Sequence, residues 1–415
     1  MAGPLGHLVP GLTIASGRMI VVVGLSADGL LADPSVVAEA RVVVGSRRQL
    51  GLLPDNAGQQ RVLLPSPLRP GLADLLDEHG AGNGGVVILA SGDPLVSGIG
   101  TTLIEMYGAD RVDIRPAVSS VALARARMGW PAESCAVVTV VGRDPSLVLR
   151  ELAPGRRILV LSSDQETPHQ VAALLTAAGY GESLMDVLGD LGTLQETRSW
   201  SVAHNWAQAP TAHTPRLNVI AVTCSGPHLG GWTAGLPDDA FEHDGQLTKR
   251  DLRASALARL APTPGELLWD VGAGAGSVGI EWMRAHPACR TIAIEASSER
   301  AERVGRNATR LGVPGLTVVT GRAPVALAEL PTPDAVFIGG GATRPGVIEA
   351  ALEALRPGGR IVVHGVTLET EMLLGRLHQE YGGELSRISV ETTAPVGTFT
   401  GWAPARAVTQ WTCWR

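Results

Sequence analysis

A short glycine-rich segment in the second half of the chain carries the clearest potential for ligand binding. It reads Asp270-Val-Gly272-Ala-Gly274-Ala-Gly276 and lies between a predicted strand and a predicted helix. Glycines at such a turn let the backbone approach a ligand closely, and the start of a helix offers unpaired N–H groups. Glu295 ends the next predicted strand, 19 residues after Gly276, where its carboxylate can accept hydrogen bonds from both hydroxyls of a ribose. The pattern therefore predicts a site for a nucleoside-containing cofactor.

Two cofactors fit this spacing. Gly274-x-Gly276-x-x-Gly279, with an acid about 20 residues further on, satisfies the nicotinamide dinucleotide fingerprint. In contrast, Asp270 in the form Asp-x-Gly-x-Gly, and the late strand introduced by Leu355-Arg-Pro-Gly-Gly-Arg360, resemble the Rossmann-like (class I) methyltransferases, which use S-adenosylmethionine. Spacing alone does not separate the two, so a nicotinamide-dependent reductase stays an alternative.

Alternating strands and helices surround this segment and predict an α/β fold with largely parallel sheets. In the first half, strands are predicted at 19–24, 40–44, 85–90, 136–141, 157–161 and 218–222, with helices at 72–79 and 120–128. In the second half, strands are predicted at 267–271, 291–295, 316–320, 335–338 and 360–364, with helices at 250–260, 277–285, 298–311 and 346–355. Between the halves the periodicity fails, which predicts a linker at 224–245.

Composition excludes several classes of protein. Hydrophobic residues make up 45% of the 415 residues, too many for a disordered chain, yet no apolar stretch approaches the roughly 18 to 20 residues that span a bilayer. The net charge of −6 and the lack of a basic run argue against nucleic-acid binding. Four widely separated cysteines predict neither a metal site nor a disulfide framework, which fits a reducing cytoplasm. Residues 1–18 are predicted to be a disordered extension rather than a signal peptide.

The second half resembles a narrower group. Leu236-Pro-Asp-Asp, the Asp270-to-Glu281 segment and Phe337-Ile-Gly-Gly-Gly341 occur in the order found in cobalamin-pathway enzymes that methylate carbon 15 of a precorrin and decarboxylate an acetate arm. Similar proteins often carry an acid after the fourth-strand glycine, where this chain has Gly321-Arg322-Ala323, so the resemblance implies adenine recognition by backbone groups there. It implies an S-adenosylmethionine site formed by Thr248, Asp270, Gly272, Ala273, Gly274, Ala275, Gly276, Glu295 and Ala323.

The first half carries a glycine turn at the end of the first predicted strand, a Gly92-Asp93-Pro94 loop and a Ser119-Ser120 turn. In this order they resemble the tetrapyrrole methylase fold, and more closely the subunit that methylates carbon 5 of the same precursor. The resemblance implies S-adenosylmethionine in a cleft between two α/β lobes, about 19–115 and 116–223, lined by Gly24, Gly92, Asp93, Pro94, Ser119 and Ser120. Taken alone, Gly92-Asp93-Pro94 is also a common Asx-type bend. Similar proteins usually carry a histidine at Val141, so a possible active-site position is unfilled.

Together the halves resemble the fused C5,15-methyltransferases of cobalamin biosynthesis. The resemblance implies a bifunctional S-adenosylmethionine-dependent C-methyltransferase with a tetrapyrrole methylase domain at 19–223, a Rossmann-like domain at 246–415, and one cofactor site in each. It also implies a precorrin substrate whose ring C acetate is decarboxylated, and a homo-oligomer, either a dimer or a tetramer. Besides the reductase, a carrier with one degenerate half stays an alternative.

A precorrin carries many carboxylates, so residues that bind carboxylates are candidates for the active site. Arginine clamps carboxylates through two hydrogen bonds, and Lys249, Arg250, Arg253 and Arg344 lie near the predicted site, although an ordinary solvated helix face also explains the first three. His364 ends a predicted strand at the cofactor-facing edge and is the candidate proton carrier, although similar proteins often have asparagine there. Glu281 is expected to pair locally. We therefore predict Lys249, Arg253 and His364 as catalytic residues, with no metal.

Overall fold

A computed structural model describes residues 19–80, 85–209, 214–228 and 231–415. The expectation that residues 1–18 form a disordered extension lies outside these residues. The chain divides into two compact units. The N-terminal unit extends to Arg143 and includes Arg156–Thr176 and Gly181–Cys224, and the C-terminal unit comprises Asp144–Gly155, Ala177–Tyr180 and Ser225–Arg415. No helix in the described ranges is long and apolar enough to cross a membrane.

The first sheet of the N-terminal unit is wholly parallel, as its continuous apolar runs predict. Its strand order is β3-β2-β4-β1-β5. The strands are β1 (Ile20–Leu25), β2 (Val42–Gly45), β3 (Gln60–Leu63), β4 (Val86–Ser91) and β5 (Val112–Arg115), and the helices are α1 (Pro34–Glu39), α2 (Arg47–Gly51), α3 (Leu68–His79) and α4 (Ile99–Tyr107).

The second sheet differs from the predicted largely parallel arrangement. Its order is β6-β7-β10-β8-β9, and only β6 and β7 pair in parallel. The elements are α5 (Ser120–Met128), β6 (Cys135–Thr139), β7 (Arg157–Leu161), α6 (Thr167–Ala177), β8 (Leu184–Gly189), β9 (Thr197–Val202), α7 (Ala203–Trp206) and β10 (Asn218–Thr223). The edge strand β9 is mostly exposed and polar, so it carries no apolar run by which it could be predicted.

The C-terminal unit is built on a seven-stranded sheet of order β13-β12-β11-β14-β15-β19-β16, with a separate β17-β18 hairpin. The first five strands are parallel, and β19 is antiparallel to both neighbours. The strands are β11 (Leu267–Val271), β12 (Arg290–Glu295), β13 (Thr317–Thr320), β14 (Ala335–Ile338), β15 (Arg360–Gly365), β16 (Glu384–Ile388), β17 (Glu391–Val396), β18 (Phe399–Pro404) and β19 (Val408–Trp414), and the helices are α8 (Arg250–Leu260), α9 (Ser277–Ala285), α10 (Ser298–Arg310), α11 (Val347–Ala354) and α12 (Leu368–Tyr381).

Strand β11 marks the point where the chain order of this sheet reverses, with β12 on one side and β14 on the other. Ligands bind at the carboxyl ends of the strands at such a switch point. In the predicted linker, Leu236 and Phe241 are buried and pack with the core under α9 and α10. The segment before α8 is therefore part of the packed unit, while the predicted domain bounds stay a prediction.

Candidate functional site

A cavity of about 960 Å³ opens at the carboxyl edge of the C-terminal sheet. Its wall is formed by the loops that follow β11, β12, β13, β14 and β15, together with the segment before α8. The structure thus brings together most of the predicted C-terminal site, namely Thr248, Lys249, Gly272, Ala273, Gly274, Glu295, Ala323 and His364.

The turn after β11 requires glycine at the cavity wall. Gly272 and Gly274 have φ values of +71° and +59°. A Cβ atom on Gly272 would lie 2.8 Å from the carbonyl oxygen of Gly340, and one on Gly274 would lie 2.7 Å from that of Gln246. Both the left-handed backbone and the close approach of neighbouring loops therefore exclude larger residues. Gly276 caps the start of α9 and, like Ala275, lies behind the cavity wall rather than in it.

Glu295 is held by two backbone donors. The N–H of Gly274 donates to Oε2 at 2.9 Å, and the N–H of Ser297 donates to Oε1 at 3.0 Å. Since a carboxylate oxygen can accept two hydrogen bonds, each oxygen keeps a lone pair for a ligand at the cavity wall. This arrangement fits a diol such as the two hydroxyls of a ribose.

Asp270 lies beneath the turn rather than in the cavity wall. Its side chain is buried, and Oδ2 accepts a hydrogen bond from the N–H of Gly279 at 3.0 Å. Within the described residues its Oδ1 atom has no hydrogen-bond partner. Burial raises the pKa of Asp270 to about 7. The hydrogen bond from Gly279 lowers this pKa in part, and the negative charge of Glu295 raises it further. Its contribution to the site is to fix the start of α9 relative to β11.

The predicted clamp role of Arg253 is wrong. Its guanidinium group is fully buried and donates to Glu281 Oε1 at 2.5 Å, to Asp238 Oδ1 at 3.3 Å and to the carbonyl oxygens of Leu236 and Thr248. Four of its five N–H groups are thus used within the protein, and the buried guanidinium group does not line the cavity where a substrate would bind. Arg253 instead ties the segment before α8 to α9. Glu281 serves structure, as expected, but its partners Arg253, Gly235 and Leu236 are distant in sequence rather than local.

A signal for this burial exists in the sequence. Ala256, Leu257 and Leu260 follow Arg253 at spacings of three, four and seven residues, and all three are buried. That spacing defines one face of a helix. Arg253 therefore lies on the core-facing side of α8 rather than on a solvated one.

Other cations do face the cavity. Lys249 is half exposed, with Nζ 3.6 Å from Asp238 Oδ2, and Arg250 and Arg344 also line the wall. Arg344 and two arginines that were not predicted as clamps, Arg322 and Arg406, have side chains that make no hydrogen bond or ion pair with the described residues. Sequence reasoning missed them because 33 of the 34 basic residues are arginine, so a single arginine carries little signal.

His364 lies at the end of β15, as predicted, and lines the cavity. Its Nε2 atom is 2.9 Å from Gln410 Oε1, and its ring stacks edge-to-face on Phe337 with centroids 5.0 Å apart. Burial lowers the pKa of His364 to about 4, partly opposed by the Gln410 hydrogen bond. The ring is therefore neutral near pH 7, with Nε2–H donating to Gln410 and Nδ1 left as an acceptor. Resting His364 is not a cationic acid.

The predicted loops of the N-terminal unit meet at the carboxyl edge of its parallel sheet. The Gly92 N–H donates to the Leu25 carbonyl at 2.8 Å, and the Ala117 N–H donates to the Gly92 carbonyl at 3.2 Å. A Cβ atom on Gly24 would lie 2.3 Å from both the Ala117 nitrogen and the Gly92 oxygen. The end of β1 and the loops after β4 and β5 thus form one backbone surface.

The polar side chains at this edge serve local structure. Asp93 Oδ1 accepts from the Leu95 N–H at 2.8 Å, as the Asx-type bend predicts, and Pro94 is buried. Ser119 caps α5 by accepting from the Ala122 N–H at 3.1 Å, and Ser120 is exposed beside it. The structure brings these predicted residues together, whereas their binding of a cofactor stays a prediction.

Comparisons with known proteins agree with the assignment of both halves. A family model described as Precorrin methyltransferase domain matches residues 239–415, and one described as Tetrapyrrole (Corrin/Porphyrin) Methylases matches residues 34–200. The chain is 44% identical over 399 residues to a precorrin-6Y C(5,15)-methyltransferase [decarboxylating] from Sinorhizobium sp, covering 94% of this chain and 95% of that one. It is 42% identical over 397 residues to the Mycobacterium tuberculosis protein of that name, covering 95% and 99%.

A shorter relative carries a narrower name. The probable cobalt-precorrin-6B C(15)-methyltransferase (decarboxylating) of Pyrobaculum calidifontis is 38% identical over 177 residues, which are 40% of this chain and 89% of that one. The comparisons confirm the predicted fold families and give no support to a reductase.

Proposed function

This chain belongs to the precorrin-6Y C5,15-methyltransferases (decarboxylating), S-adenosylmethionine-dependent enzymes of cobalamin biosynthesis, and we propose that each of its two units holds one S-adenosylmethionine. The enzyme methylates carbons 5 and 15 of its precorrin and releases carbon dioxide. In this proposal the N-terminal unit methylates carbon 5, while the C-terminal unit methylates carbon 15 and decarboxylates the ring C acetate. Two separate family matches and the shorter relative named only for carbon 15 support that division.

The observation that carries the C-terminal assignment is the oriented carboxylate of Glu295 beside the glycine turn. Glu295 would accept the ribose hydroxyls, Gly272 and Gly274 would lie against the methionine part, and the backbone at Ala323 would contact the adenine. Thr248 lies in the same wall. In the N-terminal unit, Gly24, Gly92, Asp93, Pro94, Ser119 and Ser120 would form the corresponding site from backbone groups and a helix cap.

S-adenosylmethionine supplies an electrophilic methyl carbon when bound. The chain then has to align a nucleophilic ring carbon with it and exclude water, since positioning can contribute about 7–11 kcal/mol to such reactions. Lys249, Arg250 and Arg344 are suited to hold the carboxylate arms of the substrate, because all three line the cavity and Arg344 makes no competing ion pair within the described residues.

Decarboxylation is favoured where the acetate carboxylate is poorly solvated. Val366, Ile388, Val390 and Val408 give part of the cavity wall an apolar surface, next to neutral His364. A carboxylate held there would be destabilised, while carbon dioxide in the product would not. The electron pair of the broken C–C bond would pass into the conjugated ring system of the substrate, and a proton from water would then complete the methyl group that remains. We assign to His364 a hydrogen bond accepted at Nδ1 from a substrate N–H, in place of the role of proton carrier predicted from the sequence.

Product analysis of one variant tests the division of labour. Glu295→Ala in the full chain should yield precorrin methylated at carbon 5 but not at carbon 15, because only the C-terminal cofactor contact is lost. Mass spectrometry distinguishes this product from the doubly methylated, decarboxylated one. If Glu295→Ala removed the carbon 5 methylation instead, the assignment of the two units would be reversed.

We further propose a cytoplasmic homo-oligomer, which rests on the resemblance alone. Light scattering of the purified full chain should give the mass of a dimer or a tetramer, and a monomer mass would contradict it.

A further inference from the structure

A two-stranded hairpin projects from the C-terminal sheet between β16 and β19. Its strands, β17 and β18, pair only with each other within the described residues. Both of its roots line the cavity, with Val390 and Thr392 on the incoming side and Ala405 and Arg406 on the outgoing side. The hairpin therefore rises directly from the rim of the candidate active site.

The two faces of the hairpin are different. Val396 pairs with Phe399, and Thr392 pairs with Ala403, so these four residues share one face with the pair Ala394 and Gly401. We call this the inner face, because its member Thr392 lines the cavity. Three inner-face residues are half-buried, whereas every residue of the opposite face is exposed, namely Glu391, Thr393, Pro395, Thr400, Trp402 and Pro404.

The inner face is flat along its length and apolar at its tip. Ala394, Gly401 and Ala403 present little side-chain volume, and Val396 packs over Gly401, where an added Cβ atom would lie 2.8 Å from Val396 Cγ2. Phe399 stands beyond this strip and is 79% exposed. A flat strip that ends in an aromatic ring is complementary to the face of a conjugated ring system.

Size and charge point to the substrate as the occupant. Pockets for one drug-sized ligand reach about 1,000 Å³ at most, so a cavity of about 960 Å³ cannot enclose both a cofactor and a four-ring macrocycle. Part of the macrocycle must extend past the rim where the hairpin begins. At that rim the side chain of Arg406 makes no ion pair with the described residues, which leaves its guanidinium available to a carboxylate arm.

We propose that the inner face of the β17–β18 hairpin is the docking surface for one face of the precorrin macrocycle, with Arg406 holding one of its carboxylate arms. This inference rests on the function proposed above for the C-terminal unit. It gives a role to the chain after Ala394, for which the sequence offers no motif.

Two exposed aromatic residues on opposite faces make a matched test. In the full chain, Phe399→Ala should raise the KM for precorrin, measured by carbon dioxide release, about tenfold with a smaller change in kcat. Trp402→Ala, on the opposite face, should leave both constants unchanged. Arg406→Gln should also raise KM. All three variants should bind S-adenosylhomocysteine as the unchanged chain does, which shows that they are folded.

Three outcomes would overturn the proposal. The first is an unchanged KM and an unchanged oligomeric mass in Phe399→Ala. The second is an equal rise in KM in Trp402→Ala. The third is an unchanged KM in Phe399→Ala together with a changed oligomeric mass, which would assign the hairpin to contact with a second copy of the chain. Failure of the underlying function would look different, because the unchanged chain would then release no carbon dioxide, or Glu295→Ala would leave carbon 15 methylation intact.

Discussion

The two candidate cofactor sites differ in the groups that would contact the ligand. In the N-terminal unit, the end of β1 and the loops after β4 and β5 meet through backbone contacts, and Asp93, the acid predicted for that site, is bound to its own turn. In the C-terminal unit, backbone N–H groups orient the carboxylate of Glu295 at the wall of a cavity. A ligand can thus be recognised by a surface of main-chain groups or by a side chain that main-chain groups hold in place. The first kind of site is sensitive to added volume, and the second to loss of one charge.

Gly24→Ala is expected to have the largest effect and to be confined to the N-terminal site. The added Cβ atom would lie 2.3 Å from two backbone atoms, so the loops must move apart. A displacement of about 1 Å can lower a rate about 100-fold. Carbon 5 methylation should therefore fall about 100-fold while carbon 15 methylation persists, as assayed by transfer of labelled methyl groups and product analysis.

The matched control is Gly51→Ala, because Gly51 lies in helix α2 with no atom within 4 Å of an added Cβ. It should behave as the unchanged chain does. Equal activity of Gly24→Ala and Gly51→Ala would show that the packed end of β1 and the loops after β4 and β5 do not form the carbon 5 site.

Glu295→Gln tests the second kind of site. Hydrogen bonds to a charged acceptor contribute about 1.5–3 kcal/mol, so the affinity of the C-terminal site for S-adenosylhomocysteine should fall about 10- to 100-fold. The N-terminal site should keep its affinity, because Glu295 belongs to the other unit. Calorimetric titration resolves the two. An equal loss at both sites would contradict the independence of the units.

Asp270→Asn tests a feature that belongs to the C-terminal site, the buried acid beneath its glycine turn. The expected effect is on how the stability of the C-terminal unit depends on pH. The pKa of Asp270 is about 7 in the folded chain against 3.8 for the ordinary group, so between these values the folded state binds more protons than the unfolded state. The free energy of unfolding of the C-terminal unit therefore falls as pH rises through this window. Asparagine removes that dependence, while its amide oxygen can still accept the Gly279 N–H.

Between pH 5 and pH 8 the unchanged chain should lose about 2–3 kcal/mol of stability relative to Asp270→Asn. Urea unfolding at the two pH values measures this difference. A difference that does not vary with pH would mean that Asp270 is already ionised at pH 5.

Substitutions of His364 are expected to have the smallest effect on activity. They distinguish a role for His364 as a hydrogen-bond acceptor from a role in proton transfer. His364→Asn keeps a neutral hydrogen-bonding group at the cavity and should lower carbon dioxide release less than threefold, whereas His364→Leu should lower it about tenfold. Both variants should bind S-adenosylhomocysteine normally. If asparagine and leucine reduced carbon dioxide release equally, His364 would act by proton transfer rather than by the hydrogen bond assigned to it.

The sequence predicted the elements with strong local signals. Strands 157–161 and 267–271 and helices 250–260 and 277–285 have their predicted bounds, because apolar runs and glycine turns mark their ends. The positions of Glu295 and His364 at the carboxyl edge of the C-terminal sheet were predictable, because each residue ends a predicted parallel strand. These positions depend on local pattern and on the general geometry of parallel sheets.

The residues that escaped prediction depend on contacts between distant segments. Gln410 lies in β19, which is buried on both faces by neighbours that the local pattern does not reveal, and it meets His364 from 46 positions away. Arg253 was misassigned because its charge outweighed the apolar spacing of the helix face on which it lies. In both cases the tertiary partner decides what the side chain does.

Calorimetric titration of the purified full chain with S-adenosylhomocysteine, with NADPH as the control ligand, tests the central claim most directly. Two binding sites per chain for S-adenosylhomocysteine, and none for NADPH, are predicted because each unit is proposed to hold its own cofactor. A single S-adenosylhomocysteine site per chain, or binding of NADPH, would contradict the account.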